Sequence, residues 1–171
     1  MEPTREQPQS GADAGPDHVR SAIPSRICLV TLGGELFAID LRHVREVFGI
    51  ESITPVPGMP ASLVGVANLR GTVIPLADLR PSLGLSASAT PRYAIVVRHG
   101  TQQVGILIDD VPEIRTIHPD DMLAASTRGM IDSRPFLSGL LKIENRMSAM
   151  VEISRLLASV EGTTNQQSSA N

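Results

Sequence analysis

The chain is poor in aromatic residues and in cysteine, and each shortage excludes a class of protein. Aromatic residues make up 2% of its 171 residues and tryptophan is absent. The stacking platforms on which single-stranded nucleic acids bind are therefore missing. The single cysteine, Cys28, excludes an intramolecular disulfide and a CxxC pair. A chain without disulfides is typical of a reducing compartment, so we expect a cytoplasmic protein.

Excess positive charge and long apolar runs are also lacking. The formal net charge is −3, so no overall basic field would attract nucleic acid or anionic lipid. No apolar run approaches the roughly 20 residues of a membrane-spanning helix. The first 24 residues contain no apolar segment of the kind that forms the centre of a signal peptide. We expect no nucleic-acid partner and no direct contact with a membrane.

Motifs for catalysis or metal binding are absent as well. There is no GxGxxG, GxxxxGK[ST], GxSxG or HExxH sequence. The four histidines have no metal-ligand spacing, and the acids Asp120 and Asp121 near His118 are explained by the first turn of a helix. Cys28 lies in the apolar run ICLV, where a small buried side chain is expected. We predict no enzyme activity, no cofactor and no metal.

The chain does contain many short apolar runs separated by turn residues. Predicted strands cover residues 27–32, 35–39, 44–48, 66–69, 72–77, 93–98, 103–109, 111–117, 136–144 and 147–153. A short helix is predicted over Asp78–Leu83, and a last helix through Leu157. Many short strands with few helices indicate a mainly β fold built from small paired barrels.

Composition divides the chain into three parts. Residues 1–25 are rich in Pro, Gly, Gln and Ser, which predicts a disordered N-terminal arm. Residues 159–171 are similarly polar and are predicted to form a flexible tail. Residues 26–158 between them have the size of one ordinary domain.

An internal repeat indicates that this domain consists of two similar units. Ile39-Asp40 followed by VREV recurs as Ile108-Asp109 followed by VPEI. A glycine, a hairpin and an acid also occur twice, first from Gly65 and then from Gly139. Each unit of about 60–70 residues is small for independent stability, so we expect the two to share a hydrophobic face.

The most informative segment is a hairpin in which VANL and TVIPLA are joined by Arg70-Gly71. Tight turns usually carry Asn-Gly or Asp-Gly, so the backbone does not require an arginine here. A cation held on a rigid turn suits recognition of a partner's carboxylate or carbonyl groups. The alternative is a solvated charge, or an ion pair with Glu46 or Asp78. Asn68 is predicted to bond the turn backbone.

These residues also carry a family resemblance. Four segments occur in an order and spacing similar to those of the CheW-like domain. They are VREV at 44–47, GVANLRGTVIPLADLR at 65–80, GILIDDV at 105–111 and FLSGLL at 136–141. That domain is an adaptor that couples chemoreceptors to a histidine kinase in bacterial chemotaxis. The resemblance covers residues 26–158 and implies two five-stranded, SH3-like barrels packed side by side, with a groove between them.

The resemblance also implies partners and the residues that meet them. A methyl-accepting chemoreceptor's cytoplasmic tip would lie in the groove, with apolar anchors from Val44, Val66 or Ile106. A CheA-type kinase would pack its own CheW-like regulatory domain barrel against barrel. Arg70 falls at a position of the family's binding surface, and Glu46 in an element near the groove and the kinase.

Three further expectations concern the same surface. Strand alternation places Val44 and Glu46 on one face and Arg45 and Val47 on the other, with an ordinary strand surface as the rival interpretation. Gly65 and Gly71 are expected to permit close backbone approach, because no side chain fits there.

The protein would be recruited to membrane receptor clusters through its partners alone.

Other functions stay open at this point. The same adaptor role could serve a twitching-motility or a surface-sensing pathway. A small-barrel module that binds a ligand or nucleic acid is the alternative from a different class, although the acidic charge and missing aromatics disfavour it.

Overall fold

The computed structural model describes residues 24–87, 89–123, 134 and 136–167. This part of the chain forms ten strands and one helix, with single 3-10 turns at Leu41–His43 and Pro119–Asp121. The strands are β1 Arg26–Leu32, β2 Glu35–Asp40, β3 Val44–Gly49, β4 Leu63–Leu69, β5 Thr72–Ala77, β6 Tyr93–His99, β7 Gln102–Ile108, β8 Glu113–Thr116, β9 Leu137–Ile143 and β10 Arg146–Val151; the helix α1 is Ile153–Gln167.

The strands form two five-stranded sheets of identical topology. The first sheet has the order β8-β1-β2-β10-β9 and the second the order β3-β6-β7-β5-β4. Neighbouring strands are antiparallel except β2–β10 and β5–β7, which occupy equivalent places and are both parallel. The predicted mainly β fold of two five-stranded units is confirmed. The predicted closure into barrels is not, because in the described residues the two edge strands of each sheet do not pair with each other.

The two halves of the chain exchange one strand. β3 follows β2 along the chain but belongs to the second sheet, and β8 follows β7 but belongs to the first. The two Ile-Asp motifs mark these crossings, which explains why they recur. A bulge follows the same pattern, since the register shifts before Gly65 in β4 and before Gly139 in β9. The internal repeat is therefore a structural one.

A large core lies between the sheets and takes side chains from both. In β1, Cys28 and Val30 face this shared core, while Ile27 and Leu29 face a smaller core on the other side of the first sheet. Ala67, Leu76, Ala94 and Leu107 form the corresponding small core of the second sheet. A strand that is buried on both faces has a continuous apolar sequence, without alternation of apolar and polar residues. This explains the ICLV sequence of β1.

The two helices predicted from the sequence differ from the structure. Helix α1 buries Ile153, Leu156 and Leu157 in the shared core and continues to Gln167, so the expected boundary at residue 158 falls inside it. The short helix predicted over Asp78–Leu83 is a single turn, closed by a hydrogen bond from the Leu83 N–H to the Leu79 carbonyl, and Gly84 then adopts a φ of +67°. Residues 1–23 of the predicted arm lie outside the described residues.

A buried ion pair fixes the segment after β5. The Asp78 carboxylate accepts hydrogen bonds from Arg80 Nε at 2.9 Å and Nη2 at 2.8 Å, and Arg80 Nη1 donates to the Ala89 carbonyl at 2.6 Å. Arg80 is only 6% exposed. Burial by itself raises the pKa of Asp78, but the hydrogen bonds and charge of Arg80 outweigh it and hold that pKa below its usual value.

We expect Arg80→Ala to reduce the free energy of unfolding at pH 7 by about 3–5 kcal/mol, because it leaves the largely buried Asp78 carboxylate without its partner. Urea unfolding measures this, with Arg80→Lys as the control that keeps the charge but loses the bidentate geometry. The pair's contribution is present above the unfolded pKa of aspartate, about 3.9, and is lost as pH falls through the lower folded pKa. A loss below 1 kcal/mol at pH 7 would contradict this account.

The edge of the second sheet is covered by the chain itself at Gly65. Thr54 and Val66 exchange two backbone hydrogen bonds of 2.9 Å each, which lays the segment before β4 against its outer side. A Cβ at Gly65 would lie 2.5 Å from the Thr54 carbonyl oxygen, and Gly65 has a φ of +154°. The close approach predicted at Gly65 is therefore real, although the neighbour is this chain and not a partner.

Gly65→Ala is expected to lower the free energy of unfolding by about 2–4 kcal/mol, since it combines backbone strain with a steric clash. The matched control is Gly49→Ala at the end of β3, where the added Cβ meets nothing within 4 Å. Thermal and urea unfolding of both variants provide the comparison. Equal stabilities of the two variants would show that the edge segment moves aside without cost.

Candidate protein interface

The turn between β4 and β5 holds Arg70 in a defined orientation. Leu69 pairs with Thr72, leaving Arg70 and Gly71 as a two-residue turn with φ values of +50° and +83°. Positive φ at both positions is typical of a type I′ turn. The Asn68 side chain accepts a hydrogen bond from the Gly71 N–H at 2.9 Å, as predicted. A Cβ added at Gly71 would meet nothing within 4 Å, so this glycine supplies the positive φ rather than the close approach expected of it.

Arg70 forms an ion pair with Glu46 of β3. Its Nη2 donates to a Glu46 carboxylate oxygen, and the arginine and glutamate side chains are 77% and 33% exposed. Of the two acids considered from the sequence, Glu46 is the partner, because Asp78 is occupied by Arg80. The contact joins strand β3 at one edge of the sheet to the hairpin at the other edge. An exposed ion pair of this kind adds little to folding stability.

A bulge in β3 changes which side chains face the surface. Val44 pairs with Val97 and Glu46 with Val96, so Arg45 is an extra residue in β3. The alternation predicted for this strand is therefore wrong, because a bulge shifts the two-residue period by one. Val44 and Val47 both pack against the shared core, and Glu46 is directed to Arg70 instead.

The predicted apolar anchors are separated by the fold. Ile106 is 0% exposed inside the shared core, so its side chain offers no surface to a partner and this prediction is corrected. Val44 is half-buried at the start of β3, and Val66 is half-buried in β4 opposite Pro75. The structure thus groups Glu46, Arg70 and Gly71 at one surface and leaves the other predicted residues at the β4 edge or against the core.

Two exposed residues near the turn were not among the predicted site residues. Val73 is 60% exposed and stands opposite Asn68, so both lie on the face of the hairpin away from Ile74. Arg45 lines a depression together with Glu46 and Arg70. The run TVIPLA gives no signal that distinguishes Val73 from its buried neighbour Ile74, and Arg45 comes to the surface only through the bulge.

The described residues offer contact surfaces rather than reactive groups. Burial raises the pKa of the Cys28 thiol to about 11, so the thiolate needed for nucleophilic chemistry is scarce at neutral pH. Within residues 24–87, 89–123, 134 and 136–167, no three His, Cys, Asp or Glu residues are grouped so that they could hold a metal ion. In that same part of the chain, no helix is both long enough and apolar enough to cross a membrane.

Comparisons with known proteins agree with this geometry. The family model of the CheW-like domain matches residues 26–161. The chain is similar to the chemotaxis protein CheW of Rhizobium meliloti, with 36% identity over 132 residues, or 76% of this chain and 85% of that protein. It is also 35% identical to protein PilI of Pseudomonas aeruginosa over 82 residues, which is 47% of this chain and 46% of PilI.

The fold is similar to the crystal structure of the scaffolding protein TtCheW from Thermoanaerobacter tengcongensis. The TM-score is 0.66 at 28% identity, and the match covers 77% of this chain and 86% of TtCheW. One conclusion follows from the two five-stranded sheets of the same topology, the NLRG turn and a family match across most of the sequence. The chain belongs to the CheW family of chemotaxis scaffold proteins.

Proposed function

We propose that this chain is a non-catalytic adaptor that couples chemoreceptors to a CheA-type histidine kinase. The main support for this proposal is the position of Arg70. Its side chain is 77% exposed on a rigid turn of a CheW-family fold. A guanidinium held in this way binds carboxylate or carbonyl groups of another protein with defined geometry. It does not itself activate a nucleophile or transfer a proton, because arginine stays protonated.

The receptor's methyl-accepting cytoplasmic tip would contact the second sheet near the β4–β5 hairpin. Val66 and Val73 provide apolar area there. The β4 edge is already paired with Thr54 at Val66, so an added strand is blocked there, and a docking helix would contact side chains. Apolar anchors at the surface of a sheet suit the apolar face of such a helix.

The kinase's CheW-like regulatory domain would contact the β3 edge. β3 is an end strand of its sheet and carries Glu46. An end strand presents unpaired backbone groups to which another β-sheet protein can add. Binding both partners at once would hold them in fixed relative positions, so that the receptor's two-state equilibrium biases the kinase. The adaptor would act in the cytoplasm and reach membrane receptor clusters through the receptor.

The same adaptor chemistry would serve other signalling pathways built from similar parts, such as twitching motility or surface sensing. Coverage favours the chemotaxis assignment. The match to chemotaxis protein CheW of Rhizobium meliloti spans 76% of this chain, whereas the match to PilI spans 47%.

Co-sedimentation of the chain with receptor-tip fragments and the kinase tests the proposal. The wild type is expected to form the ternary complex, and Arg70→Glu to lose one of the two contacts with at least tenfold weaker binding. Arg146→Glu is the matched control, because Arg146 is exposed beside the corresponding hairpin turn of the first sheet. Thermal unfolding confirms that both variants fold. Failure of the wild type to bind either partner would refute the adaptor function.

A double-mutant cycle separates Arg70 from Glu46. If Glu46 mainly orients the guanidinium, Glu46→Ala weakens partner binding about two- to fivefold, and adding it to Arg70→Ala causes little further loss. Equilibrium titration of the four proteins with the same kinase or receptor fragment measures this. Fully additive losses would mean that Glu46 contacts the partner independently of Arg70.

A further inference from the structure

The ion pair lies at the rim of a depression in the second sheet. The depression has a volume of about 200 Å³, with Leu69, Ile74 and Val96 among its lining residues and Arg45 and Arg70 at its sides. About 10–15 Å³ of space open to the centre of a water molecule is enough to hold one water, so the depression accommodates one acidic side-chain head with some of its hydration. Ile74 and Val96 are buried, which gives the depression an apolar floor.

Positive charge around this depression exceeds what the chain itself neutralises. Arg45 is exposed and has no ion-pair partner in the described part of the chain. Arg98 stands opposite Gln103, another lining residue, and donates to the Gly100 carbonyl rather than to a carboxylate. Arg45 and Arg70 thus line the depression with Glu46 as its one acidic lining residue, and Arg98 stands beside the lining residue Gln103, on a chain whose net charge is −3.

The first sheet shows that the fold does not require this basic character. Its corresponding hairpin turn carries Glu144, whose φ of +54° matches that of Arg70. Glu144 contacts Arg115 at 3.2 Å, and Arg115 also contacts Glu113 at 2.8 Å. Two acids therefore share one arginine at the equivalent place. The same topology is compatible with either sign of charge, so the basic depression is a property of this sequence.

We propose that the depression is a carboxylate-binding site in which Arg45 and Arg70 together bind one acidic side chain of a protein partner. This inference rests on the proposed adaptor function and names the chemistry that the partner presents. Arg70 uses only part of its five N–H donors on Glu46. Arg45 supplies a second guanidinium that nothing in the described chain occupies. The apolar floor strengthens both contacts by excluding water from one side of the carboxylate.

The first test uses the partner whose binding Arg70→Glu weakens. Arg45→Glu is expected to weaken the same contact at least tenfold, and Arg45→Gln about three- to tenfold, with the other partner bound normally. Arg146→Glu makes the same change of net charge at the other hairpin and is expected to change binding less than twofold. A carboxylate contact also predicts that raising NaCl weakens wild-type binding more than Arg45→Gln binding. Normal binding by Arg45→Glu would overturn the proposal while leaving the adaptor function intact.

The second test needs no natural partner and decides the proposal even if the adaptor function fails. The isotope-labelled chain is titrated with the blocked peptides acetyl-Ala-Glu-Ala-amide and acetyl-Ala-Gln-Ala-amide, and with inorganic phosphate. The glutamate peptide is expected to shift the Nε–H signals of Arg45 and Arg70, with little effect on Arg146, while the glutamine peptide leaves all three unchanged. Equal shifts from the two peptides, or none from either, would overturn the proposal. Tighter binding of phosphate than of the glutamate peptide would assign the site to free anions instead.

Discussion

The shared core between the two sheets is the constraint on which the rest of the molecule depends. Each half of the chain is too small to bury a sufficient core alone, and each lends an end strand to the other half's sheet. This one core contains side chains from both sheets, such as Phe37 and Ile39 from the first sheet and Ile95 and Ile106 from the second. The relative placement of the sheets is therefore fixed by close packing, and so are the surfaces at their ends.

This rigidity is what an adaptor of the CheW family needs. A scaffold transmits a partner's conformational change only if its own two contact surfaces do not move independently. Arg70 illustrates the point locally, because the Asn68 bond and the positive φ of Gly71 hold the turn, and Glu46 holds the side chain. Binding of a partner at this position, as proposed, would therefore cost little conformational entropy. The thiol of Cys28, by contrast, is buried, and burial raises its pKa to about 11.

Local patterns predicted the fold well where one strand and its turn decide the outcome. Three such features depend only on residues that are neighbours in the sequence. They are the strand Thr72–Ala77, the Arg70-Gly71 turn and the hydrogen bond of Asn68 to that turn. The two-unit architecture followed from the order of repeated motifs. Sheet closure was predicted wrongly, because the sequence pattern of a strand is the same in an open sheet and in a barrel.

The candidate site was harder to predict, because it depends on contacts between distant strands. A bulge at Arg45 exists only relative to β6, and it cancels the alternation read from β3 alone. Ile106 belongs to a strand buried on both faces, where a two-residue period does not indicate which side chains meet solvent. The choice of Glu46 over Asp78 as partner of Arg70 likewise required the fold, since Arg80 removes Asp78 from competition.

As the adaptor proposed above, this chain would join a receptor and a kinase and perform no chemistry on either. The most direct measurement is receptor-dependent autophosphorylation of the kinase as the concentration of the chain is raised. A bridging scaffold predicts that receptor control rises, passes through a maximum and then falls, because excess scaffold occupies receptor and kinase separately. A curve that saturates without a maximum, or no dependence on the chain at all, would contradict the account.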